Sequence, residues 1–253
     1  MRQLRFYIPL LLKTDQEYDI PENSARHMVR VLRLTEGDEI TLFNGDNNEY
    51  TAQLIAASKK SVRVKVLRQC VVNRESSLNT HLIQSLSKGD KMETTIQKVV
   101  ELGVTEVTPV SSERSNVSLA GPRLEKKMLH WQGVIQSACE QTGRNRLPEL
   151  HELSALKVVL DGYKEAESLK LILSPHVEMS LAKINELSPV DYQLPPKDVI
   201  ILIGPEGGLS ESEINHALDC GFVAIKVGPR VLRTETAGPA ILSIVQMLWG
   251  DLG

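Results

Sequence analysis

The sequence predicts an α/β protein of two domains: a small β-barrel over residues 1–72, and a mainly parallel sheet with helices over residues 73–253. Three observations predict this class. Short β-rich runs recur every ten residues or so through the first part. From Leu78 onward, apolar runs alternate with helical periods, which is typical of βα units. Near the C-terminal end, two glycine-bearing loops each follow an apolar run. A chain of 253 residues has room for both domains.

The first domain is predicted to be mostly β, with one helix. Its β-rich runs, which are separated by turn clusters of Gly, Asp and Asn, are Leu4–Leu12, Glu39–Phe43, Tyr50–Ala56 and Val62–Leu67. The helix is predicted over Ser24–Leu34, with Met28, Val31 and Leu32 on its buried side.

One face of this helix is predicted to carry three arginines, Arg26, Arg30 and Arg33, at positions i, i+4 and i+7. Guanidinium groups match phosphate oxygens in shape and charge, so an RNA-contacting stripe is one interpretation. A solvated surface is the other, and the pattern alone leaves both open.

The second domain follows a polar linker at Gln69–Ser77. Its predicted strands, each a short apolar run, are Asn79–Ser85, Val104–Val110, Leu169–Leu173, Val199–Ile203 and Phe222–Val227. Its predicted helices, each with apolar residues at helical spacing, are Lys91–Leu102, Arg123–Thr142, Ser210–Asp219 and a last one from about Thr236 to Trp249. Pro239 is expected in the first turn of that last helix.

The two glycine loops, Gly204–Ser210 and Val227–Ala237, are the stretch around which the chain is organised. Glycine lets the backbone turn sharply after a strand and approach a ligand closely. Together with Leu173 and Ser174 at a third strand end, the loops predict a pocket of the kind that open α/β sheets use for small ligands. A single Gly-Pro-x-Gly-Gly on its own is more typical of a plain turn than of a ligand site, and neither a P-loop nor a dinucleotide fingerprint is present.

Composition excludes several classes of protein. The three cysteines include no C-x-x-C pair and the six histidines form no H-E-x-x-H, so no metal is expected. No apolar run is long enough to span a bilayer, and no targeting segment is evident, so a cytoplasmic location is expected. Aromatic residues make up 4% of the chain, which argues against a protein that binds single strands by base stacking. The net charge of −3 argues against indiscriminate nucleic-acid binding.

Motifs along nearly the whole chain resemble one family. They are HMVRVLRL (27–34), GDEITLFNG (37–45), KGDKMETTIQKVVELGV (88–104), SERSNV (112–117), SACEQTGRNRLPE (137–149), GPEGGLS (204–210) and GPRVLRTETA (228–237). In this order they resemble the RsmE-type ribosomal RNA methyltransferases, bacterial enzymes of the SPOUT class.

The resemblance implies a fold and a reaction. The N-terminal barrel would be PUA-like and hold RNA, and the C-terminal domain would form a deep trefoil knot, one of the rare exceptions to unknotted connections. The enzyme would act as a homodimer and use S-adenosyl-L-methionine to methylate N3 of a uridine in the 16S rRNA of the small ribosomal subunit (uridine 1498 in the family), giving 3-methyluridine.

The resemblance also implies roles for particular residues. Arg233, Arg144 and Glu235 are the catalytic candidates, because the site must accept the proton of uracil N3 and stabilise charge on the uracil oxygens. The expected cofactor-binding residues are Leu173, Ser174, Gly204, Pro205, Glu206, Gly207, Gly208, Val227, Gly228, Val231, Leu232 and Thr234. The expected RNA-binding residues are Arg5, Arg26, Arg30 and Arg33. Glu206 is expected mainly to hold its loop, whereas Glu235 is left open between a structural role and a catalytic one, in which it takes the proton or orients the group that does.

Two alternatives remain at this point. One is another SPOUT methyltransferase, acting on a ribose 2′-hydroxyl or on guanine N1. The other is a non-catalytic RNA-binding module that keeps the pocket, against which the intact arginines and acids of the loops argue. A nucleotide hydrolase is disfavoured by the missing P-loop.

Overall fold

A computed structural model describes residues 4–58, 60–174, 177–186 and 195–253. The chain divides into two compact units. The first comprises Met1–Glu75 together with Gln136–Leu147, and the second comprises Ser76–Ile135 together with Pro148–Gly253. The first unit thus includes a short segment that comes from the middle of the sequence.

The first unit contains a five-stranded sheet in the order β1-β3-β4-β5-β2. Its strands are β1 (Arg5–Tyr7), β2 (Glu17–Asp19), β3 (Glu39–Phe43), β4 (Asn48–Ala57) and β5 (Val62–Val71). β1 pairs with β3 in parallel, and the other pairings are antiparallel. Alternate residues of β4 and β5 face the core, including Tyr50, Leu54 and Val64. This alternation is the period-2 pattern that the sequence shows.

The helix of the first unit is shorter and less regular than predicted. Helix α1 spans Glu22–Arg26 and continues as a π-helical turn over His27–Val31. The Leu32 amide donates to the His27 carbonyl, five residues back, at 3.1 Å. The prediction of a regular helix through Leu34 was therefore wrong, and so was the burial of Val31, which is exposed, because a π turn adds a residue and rotates everything after it.

The same π turn changes the predicted arginine stripe. Arg33 lies beyond the helical segment, with a φ of 57°. Arg26, Arg30 and Arg33 are all exposed, but they do not follow one α-helical face. Arg26 also contacts the carboxylate of Glu22, one turn earlier.

The second unit is built on a seven-stranded sheet in the order β12-β10-β11-β6-β7-β8, with β9 also pairing with β7. The strands are β6 (Asn79–Ser85), β7 (Glu106–Ser111), β8 (Glu149–Leu150), β9 (Ser154–Ala155), β10 (Leu169–Leu173), β11 (Asp198–Ile203) and β12 (Val223–Ile225). Every pairing is parallel. The predicted parallel α/β arrangement is confirmed. β10 and β11 are almost continuously apolar, as expected for strands covered on both faces.

The helices of this unit alternate with its strands. They are α2 (Lys91–Glu101), α3 (Gly121–Thr142, whose last turns belong to the first unit), α4 (Leu156–Gly162), α5 (Leu181–Glu186), α6 (Glu211–Asp219) and α7 (Thr234–Trp249). Helix α6 begins with the predicted capping box between Ser210 and Glu213. No helix among the described residues is long and apolar enough to cross a membrane.

Helix α7 begins two residues earlier than predicted. Its first residue is Thr234, so Pro239 lies in the second turn and not in the first, as expected from the sequence. Proline there removes the amide that would bond to the Glu235 carbonyl four residues back. Gly238, next to it, packs closely on β6, since a Cβ there would lie 3.5 Å from the Leu82 side chain.

Candidate functional site

The candidate site lies at the carboxyl edge of the parallel sheet. Strands β10, β11 and β12 are neighbours, with β10 in the middle, and they end at Leu173, Ile203 and Ile225. Both glycine loops begin just beyond these ends. Ser174 follows β10 directly, is buried, and its amide donates to the Ile225 carbonyl at 2.9 Å. Ligands of open parallel sheets bind at this edge.

The first loop, Gly204–Ser210, is a tight turn that requires glycine. The Gly208 amide donates to the Pro205 carbonyl at 2.9 Å, and Gly208 has a φ of 70°. A Cβ at Gly204 would lie only 3.0 Å from the Leu209 side chain and 3.3 Å from its backbone nitrogen. A side chain at Gly204 would therefore push the turn apart.

Glu206, at the tip of this loop, is held from the side of α2. Its carboxylate accepts a hydrogen bond from the Lys88 amide at 3.2 Å and another from Lys91 Nζ at 2.9 Å. Partial burial works to raise the pKa of Glu206, but these donors outweigh it, so the pKa lies below its usual value. The contacts are those of a group that holds a loop.

Arg114 supports the same loop from the other side. It lies in the segment after β7, and its Nη1 is 3.4 Å from both the Gly207 and the Leu209 carbonyl oxygens. A Cβ on Gly207 would meet the Arg114 side chain at 3.3 Å.

The second loop, Val227–Leu232, leads from β12 into α7. Gly228 has a φ of 69°, and Val231 stands exposed although its side chain is apolar. Leu232 and Val227 are half-buried. The loop thus offers backbone groups and an uncovered apolar side chain beside the carboxyl edge.

Thr234 joins the two loops. Its hydroxyl donates to the Gly204 carbonyl at 2.9 Å and accepts from Gln84 Nε2 at 3.0 Å. All three groups are buried or half-buried, and Gln84 is the second-last residue of β6. The chain that leaves β12 has therefore come back across β10 to the ends of β11 and β6.

Four charged groups lie in a row next to this contact. Lys91 Nζ is 2.9 Å from Glu206 Oε1 and 3.9 Å from Glu235 Oε2. Arg233 Nη1 is 3.9 Å from Glu235 Oε1. The Arg233 side chain is 82% exposed, whereas that of Glu235 is 19% exposed. Glu235 Oε2 is buried and has no hydrogen-bond partner among the described residues, so it can accept a donor from a ligand.

Arg144, the second catalytic candidate, lies in the first unit, where its guanidinium is paired with a carboxylate. Its guanidinium makes a two-pronged ion pair with Glu75, with Nη2–Oε2 at 2.5 Å and Nε–Oε2 at 3.1 Å. The two side chains are 6% and 12% exposed. An arginine so enclosed contributes to the packing of the unit, and its catalytic role stays a prediction.

Arg5 is enclosed in a similar way. Its side chain is 7% exposed and lies over the Phe43 ring, 5.0 Å from the centroid. It contacts the Glu49 carboxylate and donates to Asn145 Oδ1 at 2.7 Å. The guanidinium thus makes its contacts inside the first unit, and RNA binding by Arg5 stays a prediction.

Three contributors to the site were not found from the sequence: Gln84, Lys91 and Arg114. Gln84 lies in the predicted strand Asn79–Ser85, and Lys91 and Arg114 lie in the motifs at 88–104 and 112–117, but a polar residue at such a position carries no signal of where it points. Only the pairing of β6 with β11 brings Gln84 next to Thr234, 150 residues later.

Comparison with known proteins identifies the family. The sequence matches an RNA methyltransferase PUA domain over residues 20–67 and an RNA methyltransferase domain over residues 74–246. It is 35% identical to ribosomal RNA small subunit methyltransferase E of Buchnera aphidicola (subsp. Schizaphis graminum), covering 98% of this chain and 97% of the relative. It is 31% identical to the protein of that name from Bacillus subtilis, covering 98% and 99%.

The chain belongs to the ribosomal RNA small subunit methyltransferase E family.

Two solved structures have the same fold. A member from Neisseria gonorrhoeae, bound to S-adenosyl methionine, superposes with a TM-score of 0.89 at 39% identity over all of both chains. A putative methyltransferase from Legionella pneumophila, in complex with the bound cofactor SAM, superposes with a TM-score of 0.92 at 42% identity, again over all of both chains. The predicted family, with its N-terminal PUA-like domain and mixed α/β second domain, is confirmed.

Proposed function

We propose that this chain transfers the methyl group of S-adenosylmethionine to N3 of a uridine in the 16S rRNA of the small ribosomal subunit, giving 3-methyluridine. The observation that carries the proposal is the Thr234 junction. It fixes both glycine loops at the carboxyl edge of a parallel sheet, in a chain whose relatives are named ribosomal RNA small subunit methyltransferase E.

The residues at this edge fit S-adenosylmethionine. The cofactor has an adenine ring, an amino-acid end and a positively charged sulfonium. Exposed Val231 offers apolar surface, and the glycine turns offer backbone groups. The residues that would hold the cofactor are Leu173, Ser174, Gly204, Pro205, Glu206, Gly207, Gly208, Val227, Gly228, Val231, Leu232 and Thr234.

The chemical demand falls on the acceptor base. The sulfonium supplies an already activated methyl group, so the protein contributes mainly position and charge. Uracil N3 is a poor nucleophile while it keeps its proton. In this proposal Glu235 Oε2, which has no hydrogen-bond partner among the described residues, accepts that proton, and Arg233 stabilises the negative charge that moves onto the uracil oxygens. Lys91 and Glu206 position Glu235 and the loop, respectively.

The PUA-like domain, residues 1–72, would hold the RNA, and residues 73–253 would carry out the methyl transfer. The exposed arginines that support the first part are Arg26, Arg30 and Arg33. They form a loose basic group around the π turn and not a straight stripe. Action in the cytoplasm as a homodimer belongs to the same proposal and rests on the family.

A trefoil knot is also part of the proposal. Its support is the sheet order, in which β10 and β11 separate β12 from β6. After β12 the chain must pass both strand ends before Thr234 can meet Gly204 and Gln84.

The test is primer extension on 16S rRNA from subunits that lack the modification, after incubation with enzyme and S-adenosylmethionine. A methyl on N3 blocks the pairing edge of uridine, so extension should stop at one uridine, and only when both are present. A stop at a guanine would favour the N1-guanine enzyme. No stop, together with a methylated 2′-hydroxyl, would favour the ribose enzyme.

A further inference from the structure

Strand pairing gathers three metal-binding side chains at the amino end of the sheet in the second unit. His81 in β6 lies opposite Glu106, the first residue of β7. His151 follows β8, which pairs with β7 on the other side, and its amide donates to the Val107 carbonyl at 3.0 Å. Residues that are scattered in the sequence therefore converge. The glycine loops lie at the opposite, carboxyl edge of the same sheet.

We propose that His81, Glu106 and His151 bind a divalent transition-metal ion, for which Zn²⁺ is the best match. Two imidazoles and one carboxylate are a common zinc ligand set that leaves a fourth position open. The sequence predicted no metal, because it contains neither a C-x-x-C nor an H-E-x-x-H motif.

The distances suit such an ion. Glu106 Oε2 is 2.8 Å from His151 Nε2 and 3.7 Å from His81 Nδ1, and one ligand atom from each residue lies within 4.8 Å of the others. Tetrahedral zinc with bonds of about 2.0–2.2 Å places neighbouring ligand atoms roughly 3.3–3.6 Å apart. The 3.7 Å separation is close to that value, whereas the 2.8 Å separation is a direct His151–Glu106 hydrogen bond that an ion would replace by moving the two atoms about 0.5 Å apart.

Each histidine has an oxygen near the nitrogen that faces away from the proposed ion, but only the oxygen near His81 is at hydrogen-bond distance. His81 Nε2 is 2.7 Å from Thr108 Oγ1, and His151 Nδ1 is 3.5 Å from Glu149 Oε1. Metal-bound histidines almost always have such a partner, because it fixes the tautomer and aims the other nitrogen at the ion. If Thr108 accepts from Nε2, the His81 Nδ1 lone pair faces the Glu106 carboxylate across a gap too long for a hydrogen bond. A cation between the two removes that repulsion.

The site has an entry route. A cavity of about 540 Å³ opens next to it and is lined by Thr108, His151, Glu152, Ser154 and Tyr163, among others. The fourth ligand would be water from this cavity. Because the ion would join β6, β7 and the segment after β8, its expected effect is on stability, and it takes no part in methyl transfer.

The test is metal titration of the full chain, expressed without a histidine tag and stripped with EDTA. Calorimetry with Zn²⁺ should show one site, and Co²⁺ should give the visible absorption of a tetrahedral complex. His151→Gln and Glu106→Gln should each weaken binding by about 100-fold or more, and Thr108→Val, which removes a positioning residue, by about 10- to 100-fold. His130→Gln, at an exposed histidine paired with Glu93, is the matched control and should bind like the parent.

Zn²⁺ should also raise the melting temperature of the parent but not of His151→Gln, whose side chain is partly exposed and tolerates replacement. The proposal is overturned if the stripped chain binds no ion stoichiometrically. It is also overturned if binding survives both glutamine variants, or if it is lost in His216→Gln, which would place the ion at the separate group of Asp161, His216 and Cys220.

Discussion

Replacing Arg233 by alanine should nearly abolish methyl transfer while leaving the fold intact. The Arg233 side chain is 82% exposed, and its recorded ion pair, to Glu235, is long at 3.9 Å. Surface pairs of this kind contribute about 0–1 kcal/mol, so the melting temperature should hardly change. If Arg233 stabilises charge on the uracil oxygens, its loss should slow transfer by about 10²–10³-fold, or about 2.7–4 kcal/mol in the barrier.

The assay is the initial rate of transfer from labelled S-adenosylmethionine to unmodified small subunits, together with cofactor affinity by calorimetry. Arg230→Ala is the matched control, because Arg230 is an exposed arginine of the same loop. Arg230→Ala should weaken RNA binding only by the contribution of one positive charge. Arg233→Lys should recover part of the rate, since it keeps the charge but not the planar fork. A rate for Arg233→Ala within about threefold of the parent, or an equal loss in Arg230→Ala, would refute the assigned role.

Four further results are expected. Thr234→Val should lower the free energy of unfolding by about 1–3 kcal/mol in urea titrations and weaken cofactor binding, because Gly204 and Gln84 lose their shared hydrogen-bond partner. The control Thr236→Val, at an exposed position, should do neither, and equal effects of the two variants would contradict the role of Thr234 in joining the loops. Arg144→Ala should destabilise the protein by about 3–5 kcal/mol, since it leaves the buried Glu75 carboxylate without its ion-pair partner. A variant that is stable but inactive would support the catalytic role of Arg144. With a chelator present, the free energy of unfolding measured in urea should fall as the pH drops from 6.5 towards 4, because burial lowers the pKa of His81 to about 4 and the unfolded chain takes up the proton first. The dependence of this free energy on pH should be weaker in His81→Asn, and an unchanged dependence would contradict the assignment to His81. RNA affinity should fall, with a flatter salt dependence and unchanged cofactor affinity, when alanine replaces Arg26, Arg30 and Arg33, and an unaltered salt slope would exclude their phosphate contacts.

Much of the second domain could be predicted from sequence, because its strands are short apolar runs with clear ends. Asn79–Ser85 and Leu169–Leu173 are strands with the predicted bounds, and the Ser210 capping box starts α6 as expected. These features depend on neighbours in the chain, and such neighbours are visible in a sequence. Leu156–Gly162 was missed, because the short helix and the two-residue strands before it leave too few residues for a period.

The π turn at His27–Val31 could not be predicted in this way. HMVRVLRL has ordinary helical spacing, and the extra residue per turn is visible only once Met28 is packed and Leu34 has returned to the core. The arginines therefore appeared to share a face that the backbone does not provide.

The site itself was predicted in its loops but not in the groups that join them. Glycines in the sequence predict a turn at their own position, whereas the order of the parallel strands brings Gln84 and Lys91 to the loops. The same reason hid the cluster of His81 and His151, which are 70 positions apart in the sequence. The occupied guanidinium of Arg144 also depends on a distant residue, Glu75.

The reaction is tested most directly by transfer of labelled methyl from S-adenosylmethionine to small subunits that lack the modification, followed by digestion and chromatography of the nucleosides. The account predicts that the label elutes as 3-methyluridine, at up to one methyl per subunit, and that it is greatly reduced with Arg233→Ala. Label in any other nucleoside would contradict the proposed acceptor. Cofactor binding without any transfer, on both small subunits and naked 16S rRNA, would contradict the proposed enzyme.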